Sequence, residues 1–263
     1  MKIAMAQMQM GPTVEENLAK TLRFMERAAA LDAELIFFPE VQLSPFFAAR
    51  KGGDASAYLM RAEGPEITAI REKAKELGIA VSPNVYLEEN GKAYDASLMI
   101  APDGEVLGVS KMVHIPQAEN FWEQDYYTPS DTGFRVYDLP GGRVGIVICF
   151  DRHVPDGVRS CVRQGAELVI VPTANVTAEN LWLFEMELRG LAVQNRCFVA
   201  MCNRVGQEDG LCFAGESLLV APDSRIEFKA GAMEGLYVMD VKLEEARKAQ
   251  AECGWFDFDL LPR

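Results

Sequence analysis

The sequence is poor in histidine, and it lacks closely paired cysteines and long apolar runs. Its only two histidines are His114 and His153, and none of its six cysteines forms a Cys-X-X-Cys pair. A zinc site, any other metal centre or a disulfide framework is therefore not indicated. Since no apolar run approaches the roughly 18 residues of a membrane span, we expect no membrane partner.

Basic residues are also scarce relative to acidic ones. The chain carries 26 Lys and Arg against 39 Asp and Glu, which gives a net charge of -13. Such a charge repels nucleic acid and anionic membrane surfaces, so neither is expected as a partner. An anionic substrate would have to be bound by local basic side chains. The N-terminal segment lacks the cleavage pattern of a secretion signal, and a reducing cytoplasm is the expected compartment.

Length and periodicity favour one large α/β domain spanning residues 1–263, of which 49% are hydrophobic. Strands are predicted at 2–8, 34–38 and 79–86, and an antiparallel pair within 93–110, so the sheet should be mixed. Helices are predicted from a capping box at Thr13 and Glu16 to about Leu31, over 65–77 before Gly78, and from about Pro155 to Gln164.

The second half of the chain repeats the first. AELIFFP at 33–39 returns as AELVIVP at 166–172, and SLMIAPD at 97–103 returns as SLLVAPD at 217–223. RVGIVIC at 143–149 matches KIAMAQM at 2–8, and Asn203 follows a strand as Asn84 does. Two such halves would pack as a four-layer α-β-β-α sandwich, with sites at the strand ends near the seam.

Three polar residues stand at the ends of apolar strands. Cys149 lies at a strand-to-helix turn, where backbone N–H groups and a helix N-terminus would favour a thiolate, although a cysteine in such a place is more often a small buried hydrophobe. Glu40 follows a buried strand, where desolvation raises a carboxyl pKa towards that of a general base; Lys111 ends a third strand. Alone, each of these charged groups is more often solvated, but together they provide thiol, base and oxyanion stabiliser.

The motifs around these residues are FFPE, SKMVHIP and GIVICFDRHVPD, in this order. The whole chain thereby resembles the carbon-nitrogen hydrolase, or nitrilase-like, family. The resemblance implies the same sandwich, a catalytic Glu40-Lys111-Cys149 triad, a cysteine thioester intermediate, no cofactor and a homodimer or larger assembly. It also implies a supporting glutamate, matched here by Glu123 with Glu119 as the rival.

The resemblance further implies that the backbone N–H of Phe150 helps to bind the oxyanion. The segment CFDRHVPD resembles members that cleave N-carbamoyl amino acids, in which an arginine holds the substrate carboxylate. It implies Arg152 and His153 as substrate-binding residues, unless Arg152 pairs with Asp151 or Asp156 instead. An ω-amidase, an N-carbamoylputrescine amidase and a catalytically silent binding protein remain as alternatives. The apolar tail from Trp255 to Leu261 is a second reason to expect a homodimer.

Overall fold

The computed structural model describes residues 1–252 and contains two large β-sheets with helices on their outer faces. The strands are β1 (Lys2–Gln7), β2 (Leu35–Phe37), β3 (Ala80–Ser82), β4 (Asn84–Glu89), β5 (Lys92–Ile100), β6 (Val106–Lys111), β7 (Arg135–Leu139), β8 (Gly142–Ile146), β9 (Leu168–Thr173), β10 (Phe198–Asn203), β11 (Val205–Glu208), β12 (Leu211–Ala214), β13 (Leu218–Val220), β14 (Ile226–Lys229) and β15 (Gly235–Asp240). The α-helices are α1 (Val14–Ala29), α2 (Pro65–Leu77), α3 (Asp156–Arg163), α4 (Leu181–Asn195) and α5 (Leu243–Ala251).

The predicted repeat is visible in the strand order of the two sheets. The first sheet has the order β15-β1-β2-β3-β5-β4, with β6 paired to β5, and the second has the order β14-β13-β10-β9-β8-β7. The runs β1-β2-β3-β5 and β8-β9-β10-β13 correspond. In each, three parallel strands are followed by an antiparallel one.

Three apolar clusters define the four layers. Ile3 and Met5 of the first sheet meet Ile146 and Ile170 of the second in a core between the sheets. The intervening Ala4 faces the opposite way, since side chains alternate along a strand. The outer face of the first sheet packs on α1 and α2, and that of the second on α3 and α4. The predicted α-β-β-α sandwich is confirmed.

The predicted start of α1 and the predicted end of α2 are also confirmed. The Thr13 hydroxyl accepts a hydrogen bond from the backbone N–H of Glu16 at the start of α1. Gly78, with φ of 65°, ends α2 in the left-handed conformation that glycine adopts at little cost. These local signals are strong because each satisfies groups that a helix end leaves unpaired.

Two strand assignments differ from the prediction. The single strand expected at 79–86 is two strands, β3 and β4, because Pro83 interrupts the hydrogen-bonding ladder between them. The strand β15, from the second half, pairs antiparallel with β1 at the edge of the first sheet. The second half therefore contributes an edge strand to the first sheet, a long-range pairing that local periodicity does not reveal.

Among the described residues, no helix is both long and apolar enough to cross a membrane. The apolar tail on which the dimer prediction partly depends lies outside these residues.

Candidate active site

Glu40 lies just beyond β2 of the first sheet, and Cys149 lies just beyond β8 of the second. A short extended stretch follows each strand, and the backbone then turns sharply, with φ of 41° at Val41 and 39° at Cys149. Positive φ is unfavourable for a β-branched residue such as valine, so packing and hydrogen bonds must hold the turn. One of these bonds runs from the backbone N–H of Val41 to the side-chain oxygen of Asn84, at 2.6 Å.

The repeated asparagine has the same function in the second half. The side-chain oxygen of Asn203 accepts from the backbone N–H of Asn175, at 2.8 Å. Both asparagines are fully buried. The repeat of Asn84 as Asn203 therefore reflects a shared hydrogen bond that fixes the turn beyond β2 in the first half and the turn beyond β9 in the second.

Glu40 is fully buried, and its carboxyl lies beside the Cys149 thiol. Burial, reinforced by the nearby charge of Glu123, raises the pKa of Glu40 from 4.5 to about 7. At neutral pH this carboxyl is divided between its two protonation states. It can therefore accept a proton from the thiol and return it to a leaving group.

The Cys149 thiol is protonated in this environment. Burial, followed by the charge of Glu40, raises the pKa of Cys149 well above its usual range. The residues after it form a 3-10 turn, Cys149–His153, and α3 begins only at Asp156. The expected thiolate stabilised by a helix N-terminus is thus not what the structure has. Deprotonation must instead be coupled to transfer onto Glu40.

Two further carboxyls lie in the same buried region, beside Glu40. Burial, and then the neighbouring carboxyls, raise the pKa values of Asp95 and Glu123 well above their usual range. The Asp95 and Glu40 carboxyls lie close together, so each disfavours ionisation of the other. The rival Glu119 is exposed, so the structure places Glu123 at the site. Asp95 was missed because it sits within a strand and not at a strand end.

Lys111 does not lie beside Cys149. Its ammonium group binds the carboxylates of Glu89, at 2.6 Å, and Asp131, at 3.3 Å. It also lies 4.1 Å from the ring centre of Tyr94, which packs in the outer cluster of the first sheet. The next residue, Met112, is the one that packs in the core between the sheets together with Cys149.

Strand alternation explains this arrangement. Successive side chains along a strand point to opposite faces, so Lys111 and Met112 cannot both face the inter-sheet core. The structure therefore corrects the expectation that Lys111 joins Glu40 and Cys149 in a triad. Among the described residues, Arg152 is the basic side chain that contacts the Cys149 thiol.

Arg152 is buried against the nucleophile. Its Nη1 donates to the backbone oxygen of Cys149 at 2.8 Å and lies 3.7 Å from the sulfur. Its Nη2 donates to the side-chain oxygen of Asn175 at 2.8 Å, while Nε has no hydrogen-bond partner. Phe184 lies under the guanidinium, 4.5 Å from its central carbon. Neither Asp151 nor Asp156 is among these partners.

The neighbours of Arg152 have separate partners. Asp151 accepts hydrogen bonds from the backbone N–H groups of Val113 and His114, and so ties the loop after β6 to the nucleophile turn. His153 is paired with Glu187 through Nδ1, and its ring lies 5.1 Å from that of the partly exposed Phe150. His153 therefore lies close to the nucleophile turn, but its Nδ1 is already paired with Glu187.

Arg204, a buried arginine that the sequence analysis did not single out, supports the backbone around Glu40, at the end of β2. Arg204 pairs with Glu208 and donates to the backbone oxygens of Glu40 and Ser44, at 3.2 and 2.9 Å. It is a positioning residue, since its donors reach the backbone around Glu40. Its position between β10 and β11 carries no sequence signal that distinguishes it from a surface arginine.

Fold and site together define an α/β sandwich with a buried thiol–carboxyl pair between its sheets. The model of the carbon-nitrogen hydrolase family matches residues 2–251. The chain belongs to the carbon-nitrogen hydrolase family.

Individual relatives agree with this assignment. An N-carbamoylputrescine amidase of Arabidopsis thaliana is 28% identical, over 94% of this chain and 83% of the relative. An (R)-stereoselective amidase of a Pseudomonas species is 30% identical, over 93% and 84%. A carbon-nitrogen hydrolase structure from Helicobacter pylori has the same fold, with a TM-score of 0.88 at 21% identity, covering 100% and 99% of the two chains.

A further structure bears on the cysteine. It is a mutant amidase of Nesterenkonia sp. AN1 in which acrylamide has added to the active-site cysteine. It superposes with a TM-score of 0.82 at 25% identity and covers 97% of this chain and 100% of that one.

Proposed function

We propose that this chain hydrolyses a carbon–nitrogen bond in a small amide through a thioester on Cys149. The observation that carries the proposal is the contact between the Cys149 thiol and the Glu40 carboxyl, whose pKa of about 7 suits proton transfer in both directions. The active-site cysteine of the Nesterenkonia amidase, to which acrylamide adds, supports the same assignment.

The proposed reaction has two stages. Glu40 accepts the thiol proton as the sulfur attacks the carbonyl carbon, and then protonates the departing amine. A water molecule, deprotonated by Glu40, next releases the acyl or carbamoyl group and restores the thiol. The backbone N–H of Phe150 is the proposed donor to the oxyanion. Lys111 has no part in this scheme because its ammonium is bound elsewhere.

For the substrate we favour an N-carbamoyl amino acid. The Arg152 guanidinium lies next to the sulfur, keeps its Nε donor unpaired and so offers a charge for a substrate carboxylate. The second candidate is an N-carbamoylated amine, because several relatives are N-carbamoylputrescine amidases and buried carboxyls surround Glu40. The two candidates differ in the charge at the end of the substrate away from the carbamoyl group.

Ammonia release from matched carbamoyl compounds tests the substrate. The wild-type enzyme should cleave N-carbamoyl-β-alanine in preference to N-carbamoylputrescine. Arg152→Lys should lower kcat/KM for N-carbamoyl-β-alanine by about 10- to 150-fold, the loss expected when charge-assisted hydrogen bonds are removed. A carboxylate-free amide of similar size should be cleaved equally by both enzymes. Equal losses for all substrates would show that Arg152 supports the nucleophile and does not select the substrate.

Cys149→Ala tests the chemistry. The variant should lose at least about a thousandfold in turnover while unfolding like the wild type, because the lost sulfur leaves only a small cavity. Cys212→Ala, which changes a partly exposed cysteine on β12, is the matched control and should remain active. Residual activity near wild type in Cys149→Ala would rule out the thioester route.

A further inference from the structure

The polar groups around Cys149 are mostly acidic and largely without partners. Both carboxyl oxygens of Glu40, both of Glu123, one of Asp95 and the hydroxyl of Tyr127 are buried without a hydrogen-bond partner. Three of these residues are carboxylic acids that are at least 99% buried. A polar atom left in this state costs free energy unless a bound group completes it. A ligand rich in N–H donors would therefore satisfy these unpaired oxygens.

The charge balance points in the same direction. The Arg152 guanidinium faces the carboxyls of Glu40, Asp95 and Glu123. Lys111 points away from them, and Met112 occupies the inter-sheet face at this end of β6. A neutral amide brings N–H groups but no charge, so most of the carboxyls would have to stay protonated. A cationic group allows them to ionise and to accept hydrogen bonds at once.

An amide also develops a negative oxygen when a thiol attacks it. A site for that oxygen needs strong donors, and a surplus of carboxyls beside it is unfavourable. An amidinium or guanidinium carbon behaves differently, because attack by sulfur discharges the cation and gives a neutral tetrahedral adduct. Carboxylates stabilise such a cation before attack and need not stabilise an oxyanion afterwards.

We propose that Cys149 also attacks a protonated amidine or guanidine, the cationic counterpart of a carbamoyl group, held by Glu40, Asp95 and Glu123. This inference rests on the proposed role of Cys149 as nucleophile and adds a cationic class of substrate to the amides. The compound would be an N-amidino amine or amino acid, and the net reaction would be deimination to the corresponding urea.

The steps balance without any further reactant. The thiol proton moves to Glu40 as the S–C bond forms, and the C=N electron pair returns to nitrogen. Glu40 then protonates one amino group, the C–N bond breaks, ammonia leaves and an S-alkylisothiouronium remains. Water, deprotonated by Glu40, adds to its carbon; the C–S bond breaks, the sulfur takes back the proton, and the urea forms. The proton released from the new carbonyl converts the ammonia to ammonium.

Two isosteric alkylating probes test the charge preference without needing turnover. Chloroacetamidine is cationic and chloroacetamide is neutral, and each labels a thiol with nearly the same steric demand. Labelling of Cys149 is followed by peptide mass spectrometry, and each rate is divided by the rate for N-acetylcysteine. The partly exposed Cys212 serves as an internal reference. We expect the normalised ratio at Cys149 to favour the amidine by at least about tenfold, and that at Cys212 to stay near one.

Substitutions identify the source of the preference. Asp95→Asn keeps the oxygen that accepts from the Asn84 side chain, at 2.7 Å, and replaces the other, ionisable oxygen by a neutral NH2 donor. It should lower the amidine preference by about tenfold. Met112→Lys places an ammonium on the inter-sheet face and should reverse the preference. Lys111→Met, its neighbour on the other face, is the matched control and should leave the preference unchanged. An unchanged preference in folded Asp95→Asn would overturn the proposal.

Turnover separates this inference from the proposed amide hydrolysis. The pair 3-guanidinopropionate and N-carbamoyl-β-alanine differs only at the reacting group, and we expect kcat/KM to be at least about tenfold higher for the guanidine. Cysteine-dependent cleavage that favours the carbamoyl compound, with no amidine preference in labelling, would overturn the inference and leave amide hydrolysis standing. Amidine-selective labelling with guanidine turnover alone would overturn amide hydrolysis instead.

Discussion

Glu40 is the residue whose protonation should control the rate near neutral pH. It must be ionised to accept the thiol proton, and its pKa is about 7. We therefore expect kcat/KM to rise about tenfold per pH unit below 7 and to level off above it. Glu40→Gln should remove this limb together with the activity. A profile that is flat from pH 5 to 8 would exclude Glu40 as the base.

The same pKa shift predicts how folding stability changes with pH. Because burial raises the pKa of Glu40 from 4.5 to about 7, the folded chain binds this proton more tightly than the unfolded chain does. The free energy of unfolding should fall as pH rises from 4.5 to 7, by about 3 kcal/mol for this group, and then level off. Glu40→Gln should flatten this dependence in urea titrations, although Asp95 and Glu123 add losses of the same sign.

Lys111 gives a second test at the level of single residues. Since its ammonium pairs with Glu89 and Asp131, both on the side away from Cys149, Lys111→Met should change kcat/KM by less than about threefold. The measurement is the initial rate of ammonia release, with a melting curve to verify folding. A loss of a hundredfold or more, typical of a missing oxyanion donor, would restore Lys111 to the site.

Sequence reasoning located Glu40 and Cys149 because each follows an apolar strand, where a polar residue stands out. It misplaced Lys111 because the motif SKMVHIP indicates a strand but not which side chains of that strand face the inter-sheet core. An offset of one residue moves a side chain to the opposite face of the sheet. It missed Asp95, whose contact with Glu40 depends on the pairing of β5 with β6 and β3. Such pairings are long-range properties that no local pattern contains.

Elements were predicted best where a local signal ends them. The helix α2 runs from Pro65 to Leu77 as predicted, and Gly78 ends it with φ of 65°. A Cβ at this glycine would meet nothing within 4 Å, so Gly78→Ala should cost only its backbone strain, about 1 kcal/mol of unfolding free energy. Gly78→Asn should cost less, because asparagine tolerates the left-handed region. Urea unfolding measures both, and equal stability of Gly78→Ala and wild type would contradict the role of the glycine.

At the scale of the whole molecule, the predicted repeat explains why the site lies where it does. The strands β2 and β8 lie in different sheets and end at the same seam, so the carboxyl of one half meets the thiol of the other. The antiparallel pairing of β15 with β1 further joins the halves. We therefore expect neither half to form the site alone.

The predicted homodimer finds support in a surface of the described residues. Trp182, Leu183 and Met186, on the first turns of α4, are 68%, 43% and 43% exposed. They are neighbours on the helix, and adjoining exposed apolar side chains of this size are typical of an interface. The buried Phe184 of the same turns lies against Arg152, so a partner at this surface would also steady the site.

Trp182→Glu tests this interface. A charge at the centre of a buried apolar contact is costly, so the variant should be monomeric at micromolar concentration, where light scattering should give twice the chain mass for the wild type. Met233→Glu changes an exposed residue in the bend before β15 and should remain dimeric, provided that Met233 lies outside the interface. Loss of activity in parallel with dissociation would link assembly to the position of Arg152. A wild-type monomer would exclude the dimer, whereas a dimeric Trp182→Glu would place the interface elsewhere.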